Sequence, residues 1–382
     1  MELIDHIREK IMQSELKAIP FAQYMELALY HPEWGYYTSE RIKVGKEGDF
    51  YTSATVHPIF AQTLAATIVE MWEKAQISAP ALVEIGGGTG YMLKHLIEHI
   101  RDHSYAYYKQ MSVVLIEASP YHRLLQEEAL AQHSIVKHWF STVEEAAEQI
   151  QVEGTVLSNE WLDAFPVHLL EKGRQGWQEI GVTWDEQRQA FKETYLTELT
   201  DEAFLLLQEK EPRVKTGARI EVNSGMKQAI AAVSRLLKRG YVITIDYGDE
   251  EEMLYHPSRK RGTLMCYYRH RAHQNPFLHV GEQDITAHVN FSALQRWGEE
   301  VGLNTLAFLR QDQFLIRGGI LKRLQNHLDR DPFSSEAMKQ NRAIRQLIAP
   351  DGMGQVFRVL VQAKEVPFDL PLSLLQKESY WT

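Results

Sequence analysis

The run Ala81-Leu82-Val83-Glu84-Ile85 ends in Gly86-Gly87-Gly88-Thr89-Gly90, and apolar residues at helical spacing resume at Met92. A buried strand, a glycine turn and a helix in that order leave the chain few arrangements. Glycine lets the backbone turn sharply and lets a ligand lie against the main chain. The helix that follows aims its free N–H groups at the same place. A dinucleotide fingerprint needs Gly-x-Gly-x-x-Gly. Counted from Gly86 or Gly88, the third glycine's place is taken by Tyr91 or Leu93. The pattern present is acidic-x-Gly-x-Gly-x-Gly, and a glycine turn of purely structural purpose is the alternative.

The flanking sequence sets this turn in an α/β sheet. Short apolar runs at 81–85, 113–117, 135–140, 154–158 and 241–246 alternate with helical spacing over 92–100, 120–132, 144–150 and 226–237. Strands separated by helices of that length imply right-handed βαβ units and a parallel sheet. Further strands are expected at 303–309 and 356–361. The alternation lapses over 167–215, where 167–170, 177–184 and 190–195 read as antiparallel strands of a β insertion. Residues 1–30 read as helices. They lead into two aromatic, glycine-bearing loops around Trp34, Tyr36 and Tyr37 and around Gly48-Asp49-Phe50-Tyr51-Thr52-Ser53. The expected division is an N-terminal helical or lid segment (1–75), the first half of the α/β domain (76–166), the β insertion (167–215), the second half (216–365) and a tail (366–382). The second half would hold a polar loop at 247–283 and a helical insertion at 311–349.

With 44% hydrophobic residues among 382, the chain can bury a sizeable core without a disulfide or metal staple. No metal is expected. Its one cysteine, Cys266, cannot form a disulfide within the chain and reads as a small hydrophobe in a reducing compartment. A formal charge of −10 argues against broad nucleic-acid binding. Met1–Lys10 has neither a secretory h-region nor a transit-peptide composition, and no stretch of 18 apolar residues suggests a membrane span. A cytoplasmic protein is therefore expected, with its oligomeric state open.

Two further places carry chemistry. Glu117 closes the second apolar run, where a carboxylate can accept hydrogen bonds from ribose hydroxyls, or simply end a strand at the surface. Ser158-Asn159-Glu160-Trp161-Leu162-Asp163 follows the fourth run, at the sheet edge where open α/β folds bind ligands. Glu160 and Asp163 could face a cationic or N–H-rich acceptor. Equally, Asn159 could cap a helix whose dipole favours nearby acids.

The glycine turn resembles motif I of class I methyltransferases, and the chain as a whole resembles the MidA-like family, which includes a mitochondrial arginine methyltransferase that assists assembly of respiratory complex I. The resemblance rests on Gly35-Tyr36-Tyr37, Gly48 to Ser53, Glu84 to Gly90, Glu117 with Ser119-Pro120, Asn159-Glu160 with Asp163-Ala164 and Pro166, Ile245-Asp246-Tyr247-Gly248, Gly281 with Asp284 to Val289, and Phe357 with Val359-Leu360. It spans roughly residues 30 to 362. Departures are Ala54 to His57, Trp161, Leu162, Phe165, Val280 and Gly87, where the family usually has proline.

The resemblance implies a Rossmann-like, mostly parallel sheet with an antiparallel last strand. It implies S-adenosylmethionine as cofactor, S-adenosylhomocysteine as product and methylation of arginine on a protein substrate. Glu84, Gly86, Gly88, Gly90, Glu117 and Asn159 would bind the cofactor. Glu160, then Asp163, then Asp246 are the catalytic candidates. Asp49, Tyr51, Thr52, Asp284 and His288 would line the substrate cleft or lid, although a structural hydrogen bond is the plainer role for His288. A small-molecule methyltransferase and a non-catalytic assembly factor that binds S-adenosylmethionine are the competing readings.

Overall fold

The computed structural model describes residues 2–39, 57–326, 335–349 and 353–376. The chain forms two units, each assembled from three separate stretches. One takes Tyr51–Trp161, Ala229–Tyr247 and Gln295–Thr382; the other takes Met1–Phe50, Leu162–Gln228 and Gly248–Leu294.

The first of these units is built on seven strands. They are β1 (Ala81–Ile85), β2 (Ser112–Ile116), β3 (Val136–Phe140), β4 (Val152–Asn159), β5 (Leu237–Asp249), β6 (Asn304–Arg310) and β7 (Phe357–Lys364). Their spatial order is β3-β2-β1-β4-β5-β7-β6. Pairs from β3 through to β5 are parallel, whereas β7 runs antiparallel to both β5 and β6. The mostly parallel sheet with its antiparallel last strand is thus present. Strands at its centre are buried on both faces, which is why they read as unbroken apolar runs. Leu82, Val113, Leu157, Ile243 and Val359 form one core with helix Ile59–Lys74, whose Trp72 donates its indole N–H to Thr155 Oγ1 at 3.0 Å. Each such fully buried side chain contributes about 1.5–3 kcal/mol. The strand order reverses beside β1, between β2 on one side and β4 on the other. The glycine turn leaves the sheet there, at a topological switch point.

In the other unit, strand Trp177–Asp185 pairs antiparallel with Ile19–Pro20, His168–Lys172 and Ala190–Tyr195, and His168–Lys172 also pairs with Arg219–Val222. The expected antiparallel strands of 167–215 are these. Helices Glu2–Gln13 and Phe21–Tyr30 bury Ile7, Ile11, Phe21, Tyr24, Met25 and Leu29 against Leu169, Ile180 and Val182. The polar stretch 247–283 is more ordered than its sequence suggests. It holds the short helix Glu251–Leu254 and the strands Met265–Tyr268 and Arg271–His273, which join Asp284–Thr286 in a small sheet. Strands of three or four residues are too short to show a period. Tyr36 is fully buried and Trp34 stacks on His31, so these two aromatics pack. Cys266 is buried too, and burial first, then Asp284, pushes its thiol up to about 12.

Candidate active site

Gly86, Gly88 and Gly90 all have left-handed backbone, with φ of 67°, 53° and 74°. Any L-residue there is strained. A Cβ on Gly88 would meet nothing within 4 Å, so the main chain at this point faces open space. Gly90 N–H closes the turn on Gly87 O at 3.0 Å, and helix Tyr91–His103 starts directly after it.

Glu84 lies under this turn, 1% exposed, and neither carboxyl oxygen has a hydrogen-bond partner among the described residues. Burial first, and then the neighbouring Glu117, lifts its carboxyl from 4.5 to about 8. A Cβ at position 87 would sit 2.0 Å from Glu84 Oε2. Glycine at 87, in the place of the family's usual proline, therefore leaves the room that the carboxyl occupies.

Glu117 follows β2 and is held on both oxygens. Oε1 accepts Ser119 N–H at 2.9 Å, and Oε2 faces Gln126 Nε2 at 3.4 Å. Gln126 also donates to Gly88 O at 3.0 Å and accepts from Trp139 Nε1 at 3.3 Å. It thereby ties the glycine turn to the Glu117 strand end. The sequence reading missed Gln126 for a physical reason. On helix Pro120–Ala129 the buried residues are His122 and Gln126, while Leu124 is 64% exposed. An apolar-face argument selects the wrong side of that helix.

At the end of β4, Asn159 Nδ2 donates to Glu160 Oε1 at 3.1 Å, and the buried Asn159 Oδ1 has no partner among the described residues. Glu160 adopts φ +53°, a left-handed conformation that costs a non-glycine residue of order 1–3 kcal/mol. Its N–H is fixed on Ile245 O at 2.9 Å. The fully buried Asp246 accepts Trp161 N–H at 3.1 Å through Oδ2 and Tyr247 N–H at 2.9 Å through Oδ1. Trp161 Cδ1 lies 3.6 Å from where a Cβ on Gly86 would stand. Glu84, the glycine turn, Glu117, Asn159, Glu160 and Asp246 all belong to the unit built on the seven-stranded sheet.

Asp163, Asp284 and His288 belong to the other unit. The buried Asp163 accepts Ala287 N–H at its carbonyl, 2.9 Å away. Buried Asp284 accepts the Tyr37 hydroxyl at 2.8 Å. Burial, with Asp284 next in weight, raises the Tyr37 hydroxyl well above its ordinary range. His288 Nδ1 lies 3.2 Å from Arg259 Nη1, and its backbone N–H donates to Thr263 Oγ1 at 3.0 Å. Asp49, Tyr51 and Thr52 lie outside the described residues.

A family profile matches residues 63–309. The chain belongs to the Methyltransf_28 family of S-adenosyl-L-methionine-dependent methyltransferases. As a member of that family it is an enzyme, a methyltransferase, with S-adenosylmethionine as cofactor.

A protein from Burkholderia thailandensis solved with S-adenosyl-homocysteine bound is 30% identical, with a TM-score of 0.86 over 98% of this chain and 95% of that one. The mitochondrial protein arginine methyltransferase NDUFAF7 of Homo sapiens is 26% identical, covering 93% of this chain and 82% of its own length. The Drosophila melanogaster homologue is 25% identical over 94% of this chain and 84% of its own. These relatives overturn the expectation of a cytoplasmic protein, because they are mitochondrial. A single cysteine indicates a reducing environment and does not say which one. Among the described residues no helix of this methyltransferase is long and apolar enough to cross a membrane.

The residues present fit the cofactor. Gly88 offers bare backbone to open space, and Glu84 and Asn159 carry buried acceptor atoms without partners among the described residues. A buried acceptor without a partner costs roughly 1–3 kcal/mol, which N–H or O–H donors of a ligand would recover.

Proposed function

We propose that this methyltransferase transfers a methyl group to an arginine side chain of a protein acceptor. The names of the human and fly relatives support the acceptor class. The observation that carries the chemistry is Glu160, a carboxylate held on left-handed backbone directly after the C-terminal end of β4. When bound, S-adenosylmethionine supplies a methyl group on a cationic sulfur that is already an activated leaving group.

Gly86, Gly88 and Gly90 hold it against bare backbone, with Glu84, Glu117 and Asn159 as acceptors for its N–H and O–H groups. Glu117 is set for ribose hydroxyls by the Ser119 and Gln126 contacts that orient it. A guanidinium is protonated in water and must lose a proton as it is methylated. Glu160 accepts its N–H groups, aligns the attacking nitrogen and takes that proton; such general-base help is worth about 10²–10⁴ in rate. Asp163 is the second candidate. Asp246 holds the Trp161 and Tyr247 amides and positions the loop that presents Glu160. Asp284 and His288 are proposed for the acceptor side of the reaction.

The test is label transfer from radioactive S-adenosylmethionine to extract proteins, followed by hydrolysis and separation of methylated amino acids. Wild type should yield methylarginine. Glu160→Gln should lose at least about a hundredfold in rate while keeping its calorimetric cofactor affinity. Glu117→Ala should weaken cofactor binding about ten- to a hundredfold, the loss of hydrogen bonds to a charged acceptor. Label on another residue type would end the arginine reading, and full activity in Glu160→Gln would remove that residue from the chemistry.

A further inference from the structure

The unit that carries the antiparallel sheet also carries a groove of about 610 Å³, lined by none of the residues proposed above for cofactor or acceptor. One wall is the segment Glu211-Pro212-Arg213-Val214-Lys215 and the other runs through Tyr255 and Pro257. Half-buried Pro212, Val214 and Tyr255 give it an apolar lining. The Tyr255 ring is fixed through its hydroxyl, which accepts Asn290 Nδ2 at 3.1 Å. Lys210 and Glu251 pair across the two segments at 2.5 Å, so the walls are tied together.

The charge of this groove runs against the rest of the chain. Its one carboxylate, Glu211, is engaged by Lys172 Nζ at 2.5 Å and by Trp177 Nε1 at 2.9 Å. Arg213 and Lys215 are exposed and have no carboxylate partner among the described residues. Nor have Lys260 and Arg261, two exposed cations that follow Pro257; Lys260 O accepts Arg219 N–H at the base of the same strand that Lys172 borders. Arg219 and Lys227, by contrast, are paired with Glu193 and Glu209. In a chain of net charge −10, a cluster of unpaired cations around a preformed apolar groove is a local feature and not background.

We infer that this groove is a docking site for an acidic polypeptide segment carrying apolar side chains, supplied by the protein acceptor. The inference rests on the protein-acceptor reading above. An apolar floor with cations on the rim suits carboxylates flanking a buried side chain, and such rim charges set on-rate and partner choice. Nucleic acid would need a longer basic track interleaved with several stacking aromatics, and Tyr255 is the one aromatic residue in the lining.

The probe is a fluorescein-labelled peptide of aspartate and glutamate with interspersed leucines, titrated with the full chain and read by polarisation without cofactor. Arg213→Glu combined with Lys215→Glu should weaken binding by at least about tenfold, and added salt should weaken wild-type binding. Lys109→Glu with Arg345→Glu, the same charge change on exposed residues of the other unit, should leave affinity within about twofold. Arg261→Glu is a second groove variant, read in the same way should the double variant fail to fold. Equal affinity of wild type and groove variants would overturn the inference, as would equally tight binding of the lysine analogue of the peptide or of labelled oligothymidylate. Peptide binding lost in the groove variants alongside absent methyl transfer to any protein would leave the groove standing and remove the proposed function instead.

Discussion

Glu84 departs far from the ordinary behaviour of a carboxyl. Its carboxyl titrates near 8, against an ordinary 4.5, because burial penalises the charged form and Glu117 adds like charge. A carboxyl raised on folding binds its proton more tightly in the folded state. The stabilisation is therefore complete below about 4.5 and is lost as pH rises through 8. Glu84→Gln keeps the shape and removes the ionisation. Thermal unfolding of the free protein should show wild type falling on the order of a few kcal/mol in stability, relative to the variant, between pH 5 and 9. Parallel pH profiles for the two proteins would show that the carboxyl is not strained by charge. The same residue shows what a sequence can reveal. An acid two places before a glycine turn is visible as a pattern, and so is Glu117 at a strand end. That Glu84 lacks a hydrogen-bond partner among the described residues is a matter of packing, and no spacing encodes it.

At the scale of elements, β1, β2, β4 and β5 were readable to within a few residues because buried parallel strands are continuous apolar runs. Helix Pro120–Ala129 was readable as a helix, with Ser119 as its cap and Pro120 in the first turn, yet its inward face was not. That face is polar because it serves a site: Gln126 satisfies Gly88 O, Glu117 and Trp139 together. Gln126→Leu would leave the half-buried Trp139 N–H and Gly88 carbonyl short of partners, at up to about 1 kcal/mol each. Denaturant unfolding should register that loss, and calorimetry should show weaker cofactor binding because the turn is no longer tied to the Glu117 strand end. Leu124→Lys on the opposite face should change stability by no more than about 0.5 kcal/mol. A large effect at Leu124 with none at Gln126 would reverse this account of the helix.

Over the whole molecule, the legible and illegible parts divide by contact distance along the chain. The first three strands of the seven-stranded sheet announce themselves through successive local units, each strand followed by its own helix. The other unit draws on residues 1–50, 162–228 and 248–294, and no local signal says that these three stretches share a core. Yet Ile7, Ile11, Phe21, Tyr24, Met25 and Leu29 pack with Leu169, Ile180, Val182 and Ile285, and Ile19 pairs in register with Val182. Six fully buried side chains at about 1.5–3 kcal/mol each are worth as much as the whole net stability of a typical domain. Deleting residues 1–30 should therefore unfold this unit while sparing the seven-stranded sheet, whose core includes none of them. Amide hydrogen exchange separates the two responses. Protection at Leu169, Ile180 and Val182 should collapse in the truncated chain, while Leu82 and Val114 in β1 and β2 stay protected. Intact protection at all five positions would mean that the N-terminal helices lie on a core already complete without them. Loss at all five would make the two cores one cooperative unit.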